Sequence, residues 1–140
     1  TSFTRIQGDS VQMKERQVSH FINSLFHISL VVSVASSIAL DGIGFGKPAL
    51  AIAFEEIAHP YWESIERFHT HDTHFMDAFR TGAIPQVRSR EEFARCINRY
   101  LSNPKEDEDT RAMLRRDFLE PYDGKTGERI YKEISRIMGL

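Results

Sequence analysis

The sequence predicts an α/β fold with a parallel sheet. Apolar strand-like runs alternate with segments of helical periodicity, which is the pattern of βαβ units. The best of these runs are apolar at successive positions, not at every second one. Leu30 to Ala35, with Val31, Val32 and Val34, reads as a strand buried on both faces, as in parallel sheets. The chain also has no internal repeat, low-complexity tract or linker, so its 140 residues are expected to form one domain, 1–140.

The elements follow in order. Phe3 to Ile6 is a short strand, followed by a polar loop. Val18, Phe21, Ile22, Leu25 and Phe26 then recur at helical spacing. After the strand at Leu30 to Ala35, a helix begins near Ser37 and is stopped by Gly46 and Pro48. Ala49 to Phe54 is a second buried strand, and Ile84 to Val87 a weaker one, because Pro85 sits inside it. Ser89 and Glu92 have capping-box spacing ahead of an apolar stripe of Phe93, Cys96, Ile97, Tyr100 and Leu101. Asn103-Pro104 ends that helix. The next opens with Glu106 to Asp109 and carries Arg111, Arg115 and Arg116 later, the order that the helix dipole favours. Beyond Asp123-Gly124, Ile130, Ile134 and Ile137 mark a last amphipathic helix.

Composition narrows the function. With 41% hydrophobic and 27% charged residues, neither a disordered chain nor a membrane protein is indicated. The longest apolar run, Ile28 to Leu40, is too short to span a bilayer and holds four serines. A net charge of -2 offers no basic surface for nucleic acid, so an anionic ligand must be held by a local site. Cys96 is the single cysteine and falls on a helix's apolar face, which suits a core residue in a reducing, cytoplasmic compartment. There is no signal peptide, and the start at Thr1 without a methionine points to an excised or processed piece.

The best candidate site is the turn after Leu30 to Ala35. There SVASSIALDGIGFGKPALAI breaks an apolar run with Ser36 and Ser37 and adds Asp41 one helical turn later. Ligands of open α/β sheets bind outside the carboxyl ends of strands. The first N–H groups of the following helix lack intrahelical partners, and the dipole makes that end positive, so a diphosphate is well suited to it. Ser37 and Asp41 are four residues apart and share a helix face at about 6 Å, a span from a phosphate oxygen to a ribose hydroxyl. The plain alternative is a serine N-cap and an aspartate complementing the dipole. Gly42, Gly44 and Gly46 come too late for a dinucleotide motif, and Gly42 and Gly44 are read as allowing close packing.

Three stretches carry a resemblance: FINSLFHISLVVSVASSIALDGIGFGKPALAIAFE, HFMDAFRTGAIPQVRSREEFARCINRYLSNP and PYDGKTGERI. From about Phe3 to Ile134 the chain resembles the later part of the C-terminal, nucleotide-binding domain of GT-B glycosyltransferases. The closest pattern is that of CDP-glycerol glycerophosphotransferase-like and UDP-N-acetylglucosamine 2-epimerase-like proteins. The resemblance implies a Rossmann-like parallel sheet with flanking helices, the partial C-terminal half of a GT-B fold. It also implies that Ser36 and Ser37 receive the diphosphate of a nucleotide-sugar or CDP-polyol donor, and that Asp41 holds its ribose. In polysaccharide biosynthesis of this kind the donor is a substrate, and no cofactor is implied.

Where the epimerase-like pattern has glycines after the first serine and a Glu-Glu pair, this chain has Ser37 and Asp41-Gly42. That favours glycosyl or glycerophosphoryl transfer over epimerisation. Only four strands are counted. The family has two more before the equivalent of Phe3 to Ile6, and a whole N-terminal acceptor domain. The resemblance therefore implies a transferase fragment that does not catalyse alone. An interaction module that has lost the site, self-associating through its incomplete sheet, is the reading from another class.

The remaining candidates lie further on. HTHDTH holds His69, His71, Asp72 and His74; imidazole and carboxylate suit zinc or nickel, but the spacing matches no standard structural site, and no metal is assigned. By the resemblance His74 is the histidine that precedes a helix ending in glycine, here Gly82, and is the candidate for phosphate contact or proton transfer. Glu55 and Glu56, after a strand's carboxyl end, are candidates to touch the donor or acceptor. His59, Tyr61 and Trp62 are candidates for the acceptor side of the cleft. Arg129 is expected to form a structural ion pair.

Overall fold

A computed structural model describes residues 4–5, 11–12, 14–70 and 73–139. Its centre is a three-stranded parallel sheet of β3 (Val31–Ser33), β4 (Ala49–Ile52) and β5 (Gln86–Val87), in that spatial order. The register pairs Val31 with Ala49, Val32 with Leu50, and Ile52 with Val87. The α/β class and the parallel sheet stand as predicted; the first strand does not join it. β1 (Thr4–Arg5) instead pairs antiparallel with β2 (Val11–Gln12), a local ribbon that the sequence presented as strand and polar loop. Two residues of strand close more readily on a neighbour a few positions away than on a distant sheet.

Helices cover both faces, a layering compatible with a Rossmann-like sheet. Alternate residues of a strand point to opposite faces. Ala49 and Ala51 therefore face one core, with Val31, Leu25, Ile43, Phe75, Phe79 and Leu114. Leu50 faces the other, with Val87, Tyr100, Phe93, Cys96 and Ile97. The first core takes α1 (Glu15–His27), α2 (Ser37–Gly44), α4 (Thr73–Arg80) and α6 (Glu108–Leu114); the second takes α5 (Arg90–Ser102). Cys96 is the partly buried core residue that the sequence suggests.

Central β4 is buried on both faces, as a parallel strand should be. β3 is an edge strand, and there the prediction fails in part: Val31 is buried but Val32 is 39% exposed. The sheet ends beside it, and the helix covering Leu50 and Val87 has less to cover there. The same narrow sheet leaves half of the α1 stripe open, with Val18, Ile22 and Phe26 exposed around the buried Leu25.

The local stop and start signals act as read. Gly46 adopts φ +73° just past α2, and its N–H donates to the Ile43 carbonyl at 2.9 Å. Ser89 Oγ accepts from the Glu92 N–H at 3.1 Å, while Glu92 Oε2 accepts from the Arg88 N–H at 2.6 Å. Arg111 departs from its expected role. It is wholly buried, and its guanidinium donates to Glu108 and to the carbonyls of Pro104 and Glu106. It ties the α5–α6 loop together, a role beyond the complement to the helix dipole that the sequence suggested. After Leu114 the chain continues as one π-helical turn, Arg115–Leu119, which packs on α2. The last helix, α7 (Thr126–Met138), is amphipathic as predicted, yet none of its residues is buried.

Candidate functional site

The serine turn stands at the carboxyl end of β3. Ser33 ends the strand, and residues 34–35 bend. Ser36 is the extended N-cap of α2, with φ -149° and ψ 140°, and its carbonyl accepts from the Ala39 N–H at 3.0 Å. Its side chain, however, makes no capping hydrogen bond. This separates it from Ser89, whose hydroxyl is engaged at the start of α5. Ser37 and Asp41 are both exposed, at the first and fifth positions of the helix. Partial burial pushes the Asp41 carboxyl above the ordinary aspartate range.

Two glycines shape α2. A methyl group on Gly42 would overlap Val31 Cγ2, so this glycine lets the helix lie directly on β3. At Gly44 a Cβ would stand 2.7 Å from the Tyr122 hydroxyl, so the segment after the π turn crosses the helix there. Arg115 joins the same region, donating to the Ile43 carbonyl at 3.4 Å and to Glu108 at 2.7 Å. The sequence had no signal for Tyr122, because its neighbour on α2 is far away along the chain.

A second feature opens beside this turn. The loops after β4 and β5 enclose a cleft of about 740 Å³, lined among others by Glu55, Glu56, His59, Tyr61, Glu66 and Arg88. Glu55, Glu56, His59 and Tyr61 thus line one cleft. Trp62 is 61% exposed and stands outside the lining, edge-on to Tyr61 at 5.1 Å between centroids. Ser36, Ser37 and Asp41 do not line this cleft. The two groups of candidates occupy neighbouring strand ends and do not share one pocket.

Inside the cleft the charges are arranged unevenly. Glu56 is paired with Arg90, at the first position of α5, and the hydrogen bond to that guanidinium holds its pKa below the usual range. Arg88 lines the same space and was not singled out from the sequence; its place after β5, at a carboxyl end, was the available signal. Arg129 forms the expected structural pair, with both carboxylate oxygens of Asp123 at 2.8 Å.

The histidine segment divides. His69 is 5% exposed, stacked on Phe79 at 5.2 Å, with Nε2 at 2.7 Å from the Ile52 carbonyl. A carbonyl only accepts, so Nε2 carries a proton. Burial lowers the pKa of His69, outweighing the carbonyl's opposite effect, with the charge of Arg88 acting in the same direction as burial. His69 therefore ties α3 (Glu66–Thr70) to β4 as a core residue and does not belong to an open imidazole cluster. His71 and Asp72 lie outside the described residues, as does the side chain of His74, whose backbone is the second residue of α4. Among the described residues, no group of three His, Cys, Asp or Glu side chains is placed to hold a metal, and no helix is long and apolar enough to cross a membrane.

Comparison with known proteins yields no significant match to a family model, a curated protein or a solved structure.

Proposed function

We propose that the chain is the donor-nucleotide-binding part of a transferase that moves a glycosyl or glycerophosphoryl group from a nucleoside-diphosphate donor. The observation that carries this reading is the uncapped start of α2. An N-cap serine at a strand's carboxyl end leaves its hydroxyl unused by the helix, beside backbone N–H groups that have no intrahelical partner. A diphosphate satisfies these donors and the helix dipole together. Asp41, one turn along the same face, accepts from ribose hydroxyls. The transferred group then extends toward the cleft that holds Glu55 and Glu56. Acceptor binding and turnover belong, in this reading, to a further domain.

Titration with UDP, CDP and GDP, followed by NMR or calorimetry, tests the proposal. Perturbation should centre on Ser36, Ser37 and Asp41. Silence at those residues at millimolar nucleotide would sink it. A second reading, an interaction module without a working site, has its own observation. The α7 face of Ile130, Ile134 and Ile137 is 56%, 50% and 71% exposed, and open apolar faces of this kind mark contact surfaces.

A further inference from the structure

We infer that Tyr122 is the platform on which the base of a bound nucleotide stacks, at the far end of the α2 face that begins with Ser37. The inference rests on the nucleotide reading above and assigns the part of the ligand which that reading leaves without a partner.

Ser37, Asp41 and Gly44 are residues i, i+4 and i+7 of α2, so they lie on one face. At 1.5 Å per residue, Asp41 is about 6 Å beyond Ser37, and Gly44 about 4.5 Å further. The chemistry along that face runs in the order of a nucleotide's own parts. Unpaired N–H groups and hydroxyls suit phosphate at the helix start, and a carboxylate suits ribose at its middle. The third position has no side chain of its own. In its place stands the Tyr122 hydroxyl, 2.7 Å from where a Cβ of Gly44 would be, with Leu119 Cδ1 at 3.9 Å from the same point. Glycine at 44 is what lets the phenol come this close.

The hydroxyl end of the ring lies over Gly44, and the residue as a whole is open: Tyr122 is 63% exposed. Its phenol is pushed above the ordinary tyrosine range, first by partial burial and also by the charges of Glu120 and Asp41, while Arg115 opposes. Gly44, over which the Tyr122 hydroxyl lies, is three residues beyond Asp41 on the same face of α2. An exposed aromatic ring beside a ribose site offers a π-face to the attached base. Stacking accepts every base, so Tyr122 selects nucleotides over base-free phosphates, with little preference between pyrimidines and purines.

The test compares wild type, Tyr122→Ala and Tyr122→Phe by NMR titration with UDP, CDP and ribose 5-phosphate. Tyr122→Ala should weaken UDP and CDP about tenfold and leave ribose 5-phosphate unchanged, while Tyr122→Phe should match wild type. Base protons of UDP should shift upfield on wild type and Tyr122→Phe, and not on Tyr122→Ala, which is a sign of stacking that a structural role would not produce. Equal UDP affinity in wild type and Tyr122→Ala would overturn the inference and leave the nucleotide reading standing. So would equal loss of UDP and ribose 5-phosphate, or loss in Tyr122→Phe, since either makes the residue a partner of ribose or Asp41. If wild type shows no nucleotide shifts at Ser36, Ser37 and Asp41, the nucleotide reading falls and this inference with it.

Discussion

Gly42 and Gly44 sit two residues apart on α2 and should respond to alanine in opposite ways. A methyl at Gly42 meets Val31 Cγ2 on the sheet, where neither helix nor strand has room to give. Overpacking of this kind costs about 1–3 kcal/mol, more than the helix propensity that alanine brings. A methyl at Gly44 meets the end of an exposed tyrosine that is free to swing aside, so Gly44→Ala should leave the melting temperature level or raise it. Thermal melts of the two variants check this, and equal destabilisation would mean that Tyr122 is rigidly held. His69 makes a prediction about pH. Its pKa is lowered in the fold by burial, so the unfolded chain binds a proton that the folded chain refuses. Stability should therefore fall as pH drops through the ordinary histidine range, until the depressed folded pKa is reached. Melting curves between about pH 7.5 and 5.5 should show that slope, and His69→Gln should flatten it. A slope unchanged in the variant would assign the effect to other groups.

The starts of α2 and α5 look alike in sequence, a serine followed by a helix, and differ in structure. Ser89 spends its hydroxyl on the Glu92 N–H, so Ser89→Ala should cost about 1 kcal/mol. Ser36 makes no such bond, and Ser36→Ala should change stability by only a few tenths of a kcal/mol. Denaturant unfolding of both variants separates a capping serine from one left available to a ligand. A full capping loss at Ser36 would favour the plain alternative for the turn. The elements themselves were largely legible: capping-box spacing, the glycine and proline after α2, and helical periodicity are properties of neighbours in sequence. The π turn after Leu114 and the burial of Arg111 were not, because both depend on how α6 meets α2 and the loop before it.

At the scale of the whole molecule the open surfaces decide what to measure. α7 buries none of its residues, and β3 is, among the described residues, an edge strand beside the exposed Val32. If the interaction reading holds, light scattering should show self-association that rises with concentration. Replacing Ile130, Ile134 and Ile137 by serine should abolish it without lowering the melting temperature. A monomer at all concentrations would remove self-association as the use of that face. The comparison also bears on the nucleotide reading, because a protein that associates and ignores nucleotides would favour the module over the transferase part.

What the sequence determined by itself is the class and the punctuation of the chain. Apolar runs on successive positions called for buried parallel strands, helical stripes for covering layers, and local turn chemistry for the boundaries between them. It also brought Ser36, Ser37 and Asp41 together, since four residues of helix suffice to align them. Only the tertiary structure decided which of these side chains are free. Ser36 is spared from capping, His69 is consumed by a backbone carbonyl, and Glu56 is tied to Arg90. The same holds for the separation of the serine turn from the cleft, and for Tyr122 over Gly44. Those outcomes depend on groups that chain separation hides, and a hydroxyl, imidazole or carboxylate acquires its role from whatever the fold sets beside it.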